Sequence, residues 1–361
     1  MTAAERPPLW AWAWPGLAWA VMILASFTGA TGIVAAAAGA ILVATVFAAV
    51  YHAEVVAHRL GEPFGTLLLA VAVTVIEVGL IVSIMLGVSA DKAGLARDTV
   101  FAAVMIVCNG IVGLSLLTGG VRHHEQGFQL QGASAALAVL AALTTLTMVV
   151  PNVTTTSPGP TLSAAQLVFA GVISLVLYGS FIFVQTVRHR DYFLPLEGTA
   201  SEEVHAPPPS DGAALVSLLL LVIALVAIVG LSKVLTPALE STIAMLGAPK
   251  AVVGIAIATI VLLPEGLAAL RAARANRLQT SLNLALGSAL ASIGLTIPTV
   301  AAVSILLGQN LDLGIGTKET MLLGLTLLVG VITLGTGRTT VLQGIVHLVI
   351  FATFLFLAVV P

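Results

Sequence analysis

Residues 60–86 read LGEPFGTLLLAVAVTVIEVGLIVSIML and place an acid, Glu77, in the middle of an apolar run long enough to form a helix. Residues 246–270, LGAPKAVVGIAIATIVLLPEGLAAL, open with the same Leu-Gly-x-Pro pattern and again carry one acid, Glu265, among aliphatic residues. A charged group at bilayer depth costs several kcal/mol, so such acids are functional candidates by default. Two of them at matching places in the two halves of the chain predict one shared ion site.

The composition sets the broad class of the protein. Of the 361 residues, 59% are hydrophobic and only 8% are charged, whereas roughly 25% are charged in soluble domains. We therefore predict a polytopic membrane protein. The net charge of −2 provides no basic surface for nucleic acid. The single cysteine, Cys108, excludes an intrachain disulfide, and the sequence offers no zinc-binding pattern.

Apolar runs long enough to cross a bilayer recur along the chain. About 20 residues are needed to span roughly 30 Å of hydrocarbon, and eleven such runs can be placed. The predicted spans are 9–27, 33–53, 64–88, 99–119, 133–150, 162–187, 213–231, 251–270, 282–307, 320–334 and 339–360. The fold class predicted from them is an all-α polytopic membrane protein with about 11 transmembrane helices.

A polar segment divides these spans into two groups. Residues 188–212 are rich in acids and contain three consecutive prolines, which is typical of a disordered or loosely ordered linker. We predict an extra N-terminal transmembrane helix, a first five-helix repeat, a cytoplasmic acidic and Pro-rich linker and a second five-helix repeat, with the boundaries 1–30, 31–188, 189–212 and 213–361. An odd number of helices per repeat makes the halves insert with opposite topology, as in many secondary transporters.

The charges in the loops predict an orientation. If the N-terminus is cytoplasmic, nine of the ten arginines fall on the inner side of the membrane. The positive-inside rule therefore favours a cytoplasmic N-terminus and a C-terminus on the opposite side.

Polar side chains in other spans extend the candidate site. Asn109 in the fourth span is echoed by Asn283 in the ninth, and each asparagine is followed four residues later by a glycine. Ser288 lies further along the ninth span, and Thr74 precedes Glu77 by one helical turn. These groups offer oxygen ligands for a cation. They can equally make helix-to-helix hydrogen bonds, and the alternative for each glutamate is a protonated side chain that hydrogen-bonds to a neighbouring helix. His347, in the last span, is either a proton carrier or a packed histidine.

The two acids predict exchange of a cation for protons. Hard cations such as Ca²⁺ prefer carboxylate and carbonyl oxygens, so Glu77 and Glu265 are the predicted metal ligands. The pair is neutral with one Ca²⁺ or with two protons, whereas the empty pair carries two charges that apolar surroundings disfavour. Only the loaded states are expected to reorient across the membrane.

Four stretches carry a resemblance to a known family. They are LGEPFGTLLLAVAVTVIEVGLI at 60–81, LLPEG at 262–266, NRLQTSLNLALGSALASIGLTIP at 276–298 and TGRTTVLQGIVHLVIFATFLFL at 336–357. They resemble the calcium/proton exchanger family of the calcium/cation antiporter superfamily, and within it the bacterial sodium/potassium/calcium-proton antiporter branch. The likeness runs from about Glu54 to the C-terminus.

The resemblance implies an inverted five-plus-five helix fold with an extra N-terminal helix, in the inner membrane of a bacterium. It also implies cation efflux driven by inward proton flow. The family's essential acids match Glu77 and Glu265, and its polar residues after the second acid match Asn283 and Ser288.

One departure from the family bears on the choice of ion. Many exchangers carry Gly-Asn-Ala just before each acid, but here those positions read Val75-Ile76 and Leu263-Pro264. The predicted site therefore has fewer side-chain oxygens than that of a dedicated calcium exchanger. Na⁺ and K⁺ stay plausible substrates for this reason.

The leading hypothesis is a Ca²⁺/H⁺ antiporter, and the alternative is a Na⁺(K⁺)/H⁺ antiporter of the same fold. A cation channel fits less well because the spans hold too few polar residues to line a pore. We find no spacing typical of an enzyme site and predict no cofactor. The expected partners are inorganic cations, protons and the lipid bilayer. The oligomeric state stays open, and a homo-oligomer is compatible with the sequence.

Overall fold

The computed structural model describes residues 7–29, 32–61, 64–85, 94–195, 208–245 and 251–360, together with Gly247 and Pro249. Several predicted features lie outside these residues: part of each Leu-Gly-x-Pro opening, residues 196–207 of the linker, and the charges of Arg6, Lys92 and Lys250.

Along the described residues the chain forms eleven helices. They are α1 (Leu9–Thr28), α2 (Gly32–Leu60), α3 (Phe64–Met85), α4 (Leu95–His123), α5 (Leu130–Asn152), α6 (Ala164–Arg188), α7 (Asp211–Met245), α8 (Ala251–Arg274), α9 (Leu278–Leu307), α10 (Thr317–Leu334) and α11 (Val341–Val359). Ten of these are long and apolar enough to cross a membrane, and α3 contributes a shorter apolar stretch, Val71–Val82. The predicted all-α polytopic membrane fold is confirmed.

The seventh helix extends well beyond its predicted end. The sequence pattern closes this span at Leu231 because Lys233 and Pro237 interrupt the apolar run. In the structure α7 is a single helix of 35 residues that contains Pro237. A proline can be accommodated inside a membrane helix when neighbouring groups satisfy the carbonyl it frees.

The helices form two compact units. The first combines residues 1–89 and 204–253, and the second combines 90–203 and 254–361. Each unit therefore takes helices from both predicted repeats. The repeat boundaries themselves stay a prediction.

In the first unit, α2 packs against both α1 and α7. Trp19 of α1 donates a hydrogen bond of 3.2 Å from its indole N–H to the carbonyl of Ile223 in α7. At one end of the unit, Arg59 of α2 pairs with Asp211, the first residue of α7. α3 also packs on α7, where Gly79 faces Val229 and the missing side chain allows close approach.

The second unit is built around α4, which is almost entirely buried. The helix widens into a π-helical turn at Ile106–Ile111, a feature that is frequent at functional sites. Just beyond this turn α11 comes close to α4. A Cβ on Gly344 of α11 would lie only 2.8 Å from the carbonyl oxygen of Gly113, so small residues bring the two backbones together.

One end of the second unit is closed by polar contacts to the last carbonyls of α8. Gln126 donates from its amide to the carbonyl of Ala273 at 2.9 Å, and His123 Nε2 donates to the carbonyl of Arg274 at 3.0 Å. Gln126 also belongs to a two-residue strand, β1 (Gln126–Gly127), which pairs antiparallel with β2 (Arg338–Thr339). These contacts place the loop after α4, the end of α8 and the start of α11 at the same end of the unit.

Candidate cation site

In the first unit, Glu77 lies on the buried stripe of α3. Its side chain is only 3% exposed, and Thr74, one turn earlier, is 6% exposed. Ile81, one turn later, is fully buried, whereas Val71 and Val75 on the other side of the helix are about two-fifths exposed. The helical period thus gathers Thr74 and Glu77 on one face, as the sequence predicts.

In the second unit, Glu265 lies within α8 and is 9% exposed. Pro264 precedes it inside the helix. Because proline has no backbone N–H, it cannot donate the usual helical hydrogen bond to the carbonyl of Ile260. The helix therefore lacks one backbone hydrogen-bond donor at the turn before the acid.

α8 rests on the π-helical turn of α4 immediately beside this acid. A Cβ on Gly266 would lie 3.1 Å from Cδ1 of Ile111. The glycine therefore lets α8 approach the turn closely. Asn109 belongs to the same turn, so the structure brings this predicted residue to the part of α4 that contacts α8 beside Glu265.

The side chain of Asn109 is directed at α10 and α11. It is completely buried. Its amide nitrogen donates to Oγ1 of Thr326 at 2.9 Å, and its oxygen lies 3.1 Å from Nδ1 of His347. The second ring nitrogen of His347 lies 3.2 Å from Oγ1 of Thr333. Asn109 thus makes the helix-to-helix hydrogen bonds that the sequence allowed as an alternative to a ligand role.

Asn283 and Ser288 are both half-buried on α9. The amide nitrogen of Asn283 donates to the carbonyl of Phe193 at 2.6 Å, and its oxygen accepts from Gln279 at 2.9 Å. The Asn283 amide is therefore engaged with the segment that follows α6. Asn109 and Asn283 match in the sequence repeat, but their side chains have different hydrogen-bond partners in the structure.

Two polar residues of α10 were missed by sequence reasoning. Thr326 and Thr333 are 1% and 3% exposed, and both contact the network of Asn109 and His347. A signal was available, because residues seven apart share one face of a helix. Glu77 and Thr74 belong to the other compact unit, and their joint site with Glu265 stays a prediction.

The chain matches the family model described as sodium/calcium exchanger protein over residues 18–187 and 216–360. It is 53% identical over 357 residues to y4hA of Sinorhizobium fredii, a protein named as an ionic transporter, with 98% of this chain and 97% of that protein covered. It is 36% identical over 317 residues to the sodium-potassium/proton antiporter ChaA of Escherichia coli, with 87% of this chain and 85% of that protein covered.

Solved structures share the fold. The structure of native YfkE superposes with a TM-score of 0.74 at 16% identity and covers 97% of this chain and 100% of that one. The H⁺/Ca²⁺ exchanger CAX superposes with a TM-score of 0.72 at 15% identity, with 96% and 87% covered. At these identities the likeness concerns the fold alone.

Proposed function

Because the chain belongs to the sodium/calcium exchanger protein family, whose members are exchangers of cations, we propose that it exports Ca²⁺ in exchange for H⁺ by alternating access. The observation that carries the proposal is that, among the described residues, each compact unit buries one acid within an apolar helix. These acids are Glu77, 3% exposed, and Glu265, 9% exposed. We propose that they bind the ion together.

The charge balance of the pair supports exchange. With one Ca²⁺ or with two protons the pair is neutral, and with neither it carries two negative charges. Uncompensated charges in apolar surroundings cost several kcal/mol each, so the empty site is strongly disfavoured. Reorientation is then restricted to the loaded states, and movement of Ca²⁺ in one direction requires protons to move in the other.

Oxygen atoms beside the acids complete the proposed ligand set. Ca²⁺ takes six to eight oxygen ligands, which exceeds what two carboxylates provide. The carbonyl of Ile260, released by Pro264, and the hydroxyls of Thr74 and Ser288 are the additional ligands that we propose. The amides of Asn109 and Asn283 make other hydrogen bonds, and we propose that they hold α4 and α9 in place.

A second candidate is exchange of Na⁺ or K⁺ for H⁺. Two observations favour it. Val75-Ile76 and Leu263-Pro264 stand where many exchangers carry Gly-Asn-Ala, which removes side-chain oxygens from the site. In addition, the Escherichia coli relative is named a sodium-potassium/proton antiporter. A site with fewer oxygen ligands is less selective for a divalent cation.

Transport in everted vesicles distinguishes the two. A proton gradient is formed and followed with a pH-sensitive dye, and Ca²⁺, Na⁺ and K⁺ are added in turn. Dissipation of the gradient by Ca²⁺ is the expected result. A response to Na⁺ or K⁺ alone identifies the second candidate, and no response to any of the three ions contradicts both. Vesicles that carry the double variant Glu77→Gln/Glu265→Gln measure the background leak.

A further inference from the structure

A buried polar network joins three helices of the second unit. His347 of α11 is 1% exposed. Its Nδ1 faces Oδ1 of Asn109 in α4 at 3.1 Å, and its Nε2 faces Oγ1 of Thr333 in α10 at 3.2 Å. Thr326 of α10 accepts from the Asn109 amide nitrogen at 2.9 Å and lies 3.5 Å from Sδ of Met105. In an apolar environment an unsatisfied polar group is costly, so the members of this network hold one another in place.

The orientation of the Asn109 amide indicates which ring nitrogen of His347 carries the proton. The carbonyl oxygen of an asparagine only accepts hydrogen bonds, and the Asn109 amide nitrogen is committed to Thr326. With the amide in this orientation, the Nδ1 of His347 is the donor to Asn109. In the neutral imidazole Nε2 is then an acceptor, and the hydroxyl of Thr333 donates to it.

The described residues that line the cavity beside the ring provide no charge to stabilise an imidazolium. The small cavity beside the ring has room for about one water molecule. Its described lining comes from α4, α5, α9, α10 and α11, and the one titratable group besides His347 is the buried thiol of Cys108. No carboxylate belongs to this lining. A charged ring would be costly there, which argues against His347 as a proton carrier.

Close packing transmits the position of His347 to the candidate site. A Cβ on Gly113 would lie 2.9 Å from Cβ of His347, so α11 lies directly against α4 at this residue. The asparagine that it holds belongs to the π-helical turn Ile106–Ile111. On that same turn, Ile111 supports Gly266, the residue after Glu265. The turn therefore contacts α8 directly beside the acid.

We propose that His347 is a positioning residue of this exchanger. Its Nδ1–H donates to Asn109 and so holds the π-helical turn of α4 in place. This turn in turn positions the part of α8 that carries Glu265. This proposal rests on the proposed function only where it states that holding Asn109 improves cation binding. The hydrogen bond itself and its effect on α8 are tested without transport.

The protonated nitrogen is tested by NMR of protein with ¹⁵N-labelled histidine. The signals of His347 are identified by their absence from the His347→Asn variant. A ring with the proton on Nδ1 is the expected result. A proton on Nε2, or a charged ring at neutral pH, would overturn the proposal.

Three substitutions separate the two ring nitrogens. His347→Asn places an amide nitrogen near the position of Nδ1, His347→Gln places one near Nε2, and His347→Leu supplies neither. Hydrogen exchange should speed up in residues 106–111 and 262–268 of the Leu and Gln variants but not of the Asn variant. Unchanged exchange in the Leu variant would contradict the proposed coupling, whether or not the protein transports.

Transport kinetics provide the functional readout. We expect the Leu and Gln variants to raise the KM for the cation about tenfold with kcat changed less than about twofold, which is the scale for loss of a group that orients a ligand. The Asn variant should stay within about twofold of wild type in both. If Asn and Gln have equal effects, positioning through Nδ1 is wrong. If the Asn variant transports the cation but no longer moves protons, His347 is a proton carrier instead.

Discussion

The side-chain amide of Asn283 donates a hydrogen bond of 2.6 Å to the backbone carbonyl of Phe193. This bond fastens α9 to the short 3₁₀ turn Arg190–Phe193, which follows α6. A second contact also holds the turn: the Phe193 ring packs edge-on against Phe181, with ring centroids 5.7 Å apart. Asn283 therefore holds the turn that follows α6, at the start of the predicted linker, against α9.

Substitution of Asn283 should lower stability more than it affects ion binding. Asn283→Leu leaves the carbonyl of Phe193 without its donor, which costs about 1–3 kcal/mol when such a group is poorly hydrated. We expect a lower melting temperature of the purified protein in detergent. Gly287→Ala, on the same helix, where a new Cβ meets nothing within 4 Å, is the matched control. An unchanged melting temperature with a raised KM for the cation would contradict this role and indicate that Asn283 binds the ion.

The contact between α4 and α11 should not tolerate a methyl group. In Gly344→Ala the new Cβ would meet the backbone nitrogen of Leu117 and the carbonyl of Gly113, and overpacking of this kind costs about 1–3 kcal/mol. Gly324→Ala in α10 meets nothing within 4 Å and is the control. Thermal unfolding should show a lower melting temperature for Gly344→Ala alone. Equal melting temperatures would mean that α11 does not approach α4 so closely.

The predicted orientation can be read from the two ends of α9. Ala275 and Gln309 flank this helix of 30 residues, and both are exposed. In a Cys108→Ala background, we expect a membrane-impermeant maleimide to label Gln309→Cys in intact cells and Ala275→Cys only in everted vesicles. The expectation follows from the arginines at 271, 274 and 277 beside Ala275. The reverse labelling pattern would place the N-terminus outside the cytoplasm.

Neutralising either buried acid should abolish exchange and leave the fold intact. Glu77→Gln and Glu265→Gln remove one charge each, so the pair can no longer compensate a divalent ion. We expect transport at background level in vesicles, with a wild-type elution profile in size-exclusion chromatography. Glu125→Gln, at an exposed acid that pairs with Arg338, should transport normally. If either buried-acid variant still exchanges cations, the substituted acid does not belong to the site.

The sequence predicts the helices well because an apolar run of bilayer length has few alternatives to a helix. The shortest predicted span, 320–334, is confirmed as part of α10, Thr317–Leu334. The helix α7 extends past the predicted end of its span at residue 231, because it continues through Lys233 and Pro237. Spacing rules also gave the shared face of Thr74 and Glu77 correctly.

Long-range partners could not be obtained in this way. Asn109 and Asn283 occupy matching sequence positions, yet one meets His347 and the other meets Phe193. Periodicity gives the face of a helix but not the neighbour that covers it. The sequence pattern likewise does not predict the π-helical turn of α4. The contact of this turn with α8, between Ile111 and Gly266, is found only in the structure.

The central claim is that Glu77 and Glu265 bind one cation together. Calcium titration of the purified protein by calorimetry, at a pH high enough to deprotonate both acids, tests it most directly. We predict one Ca²⁺ per chain in the wild type and no measurable binding in either Glu77→Gln or Glu265→Gln. Two ions per wild-type chain, with one retained in each variant, would show two separate sites and contradict the account.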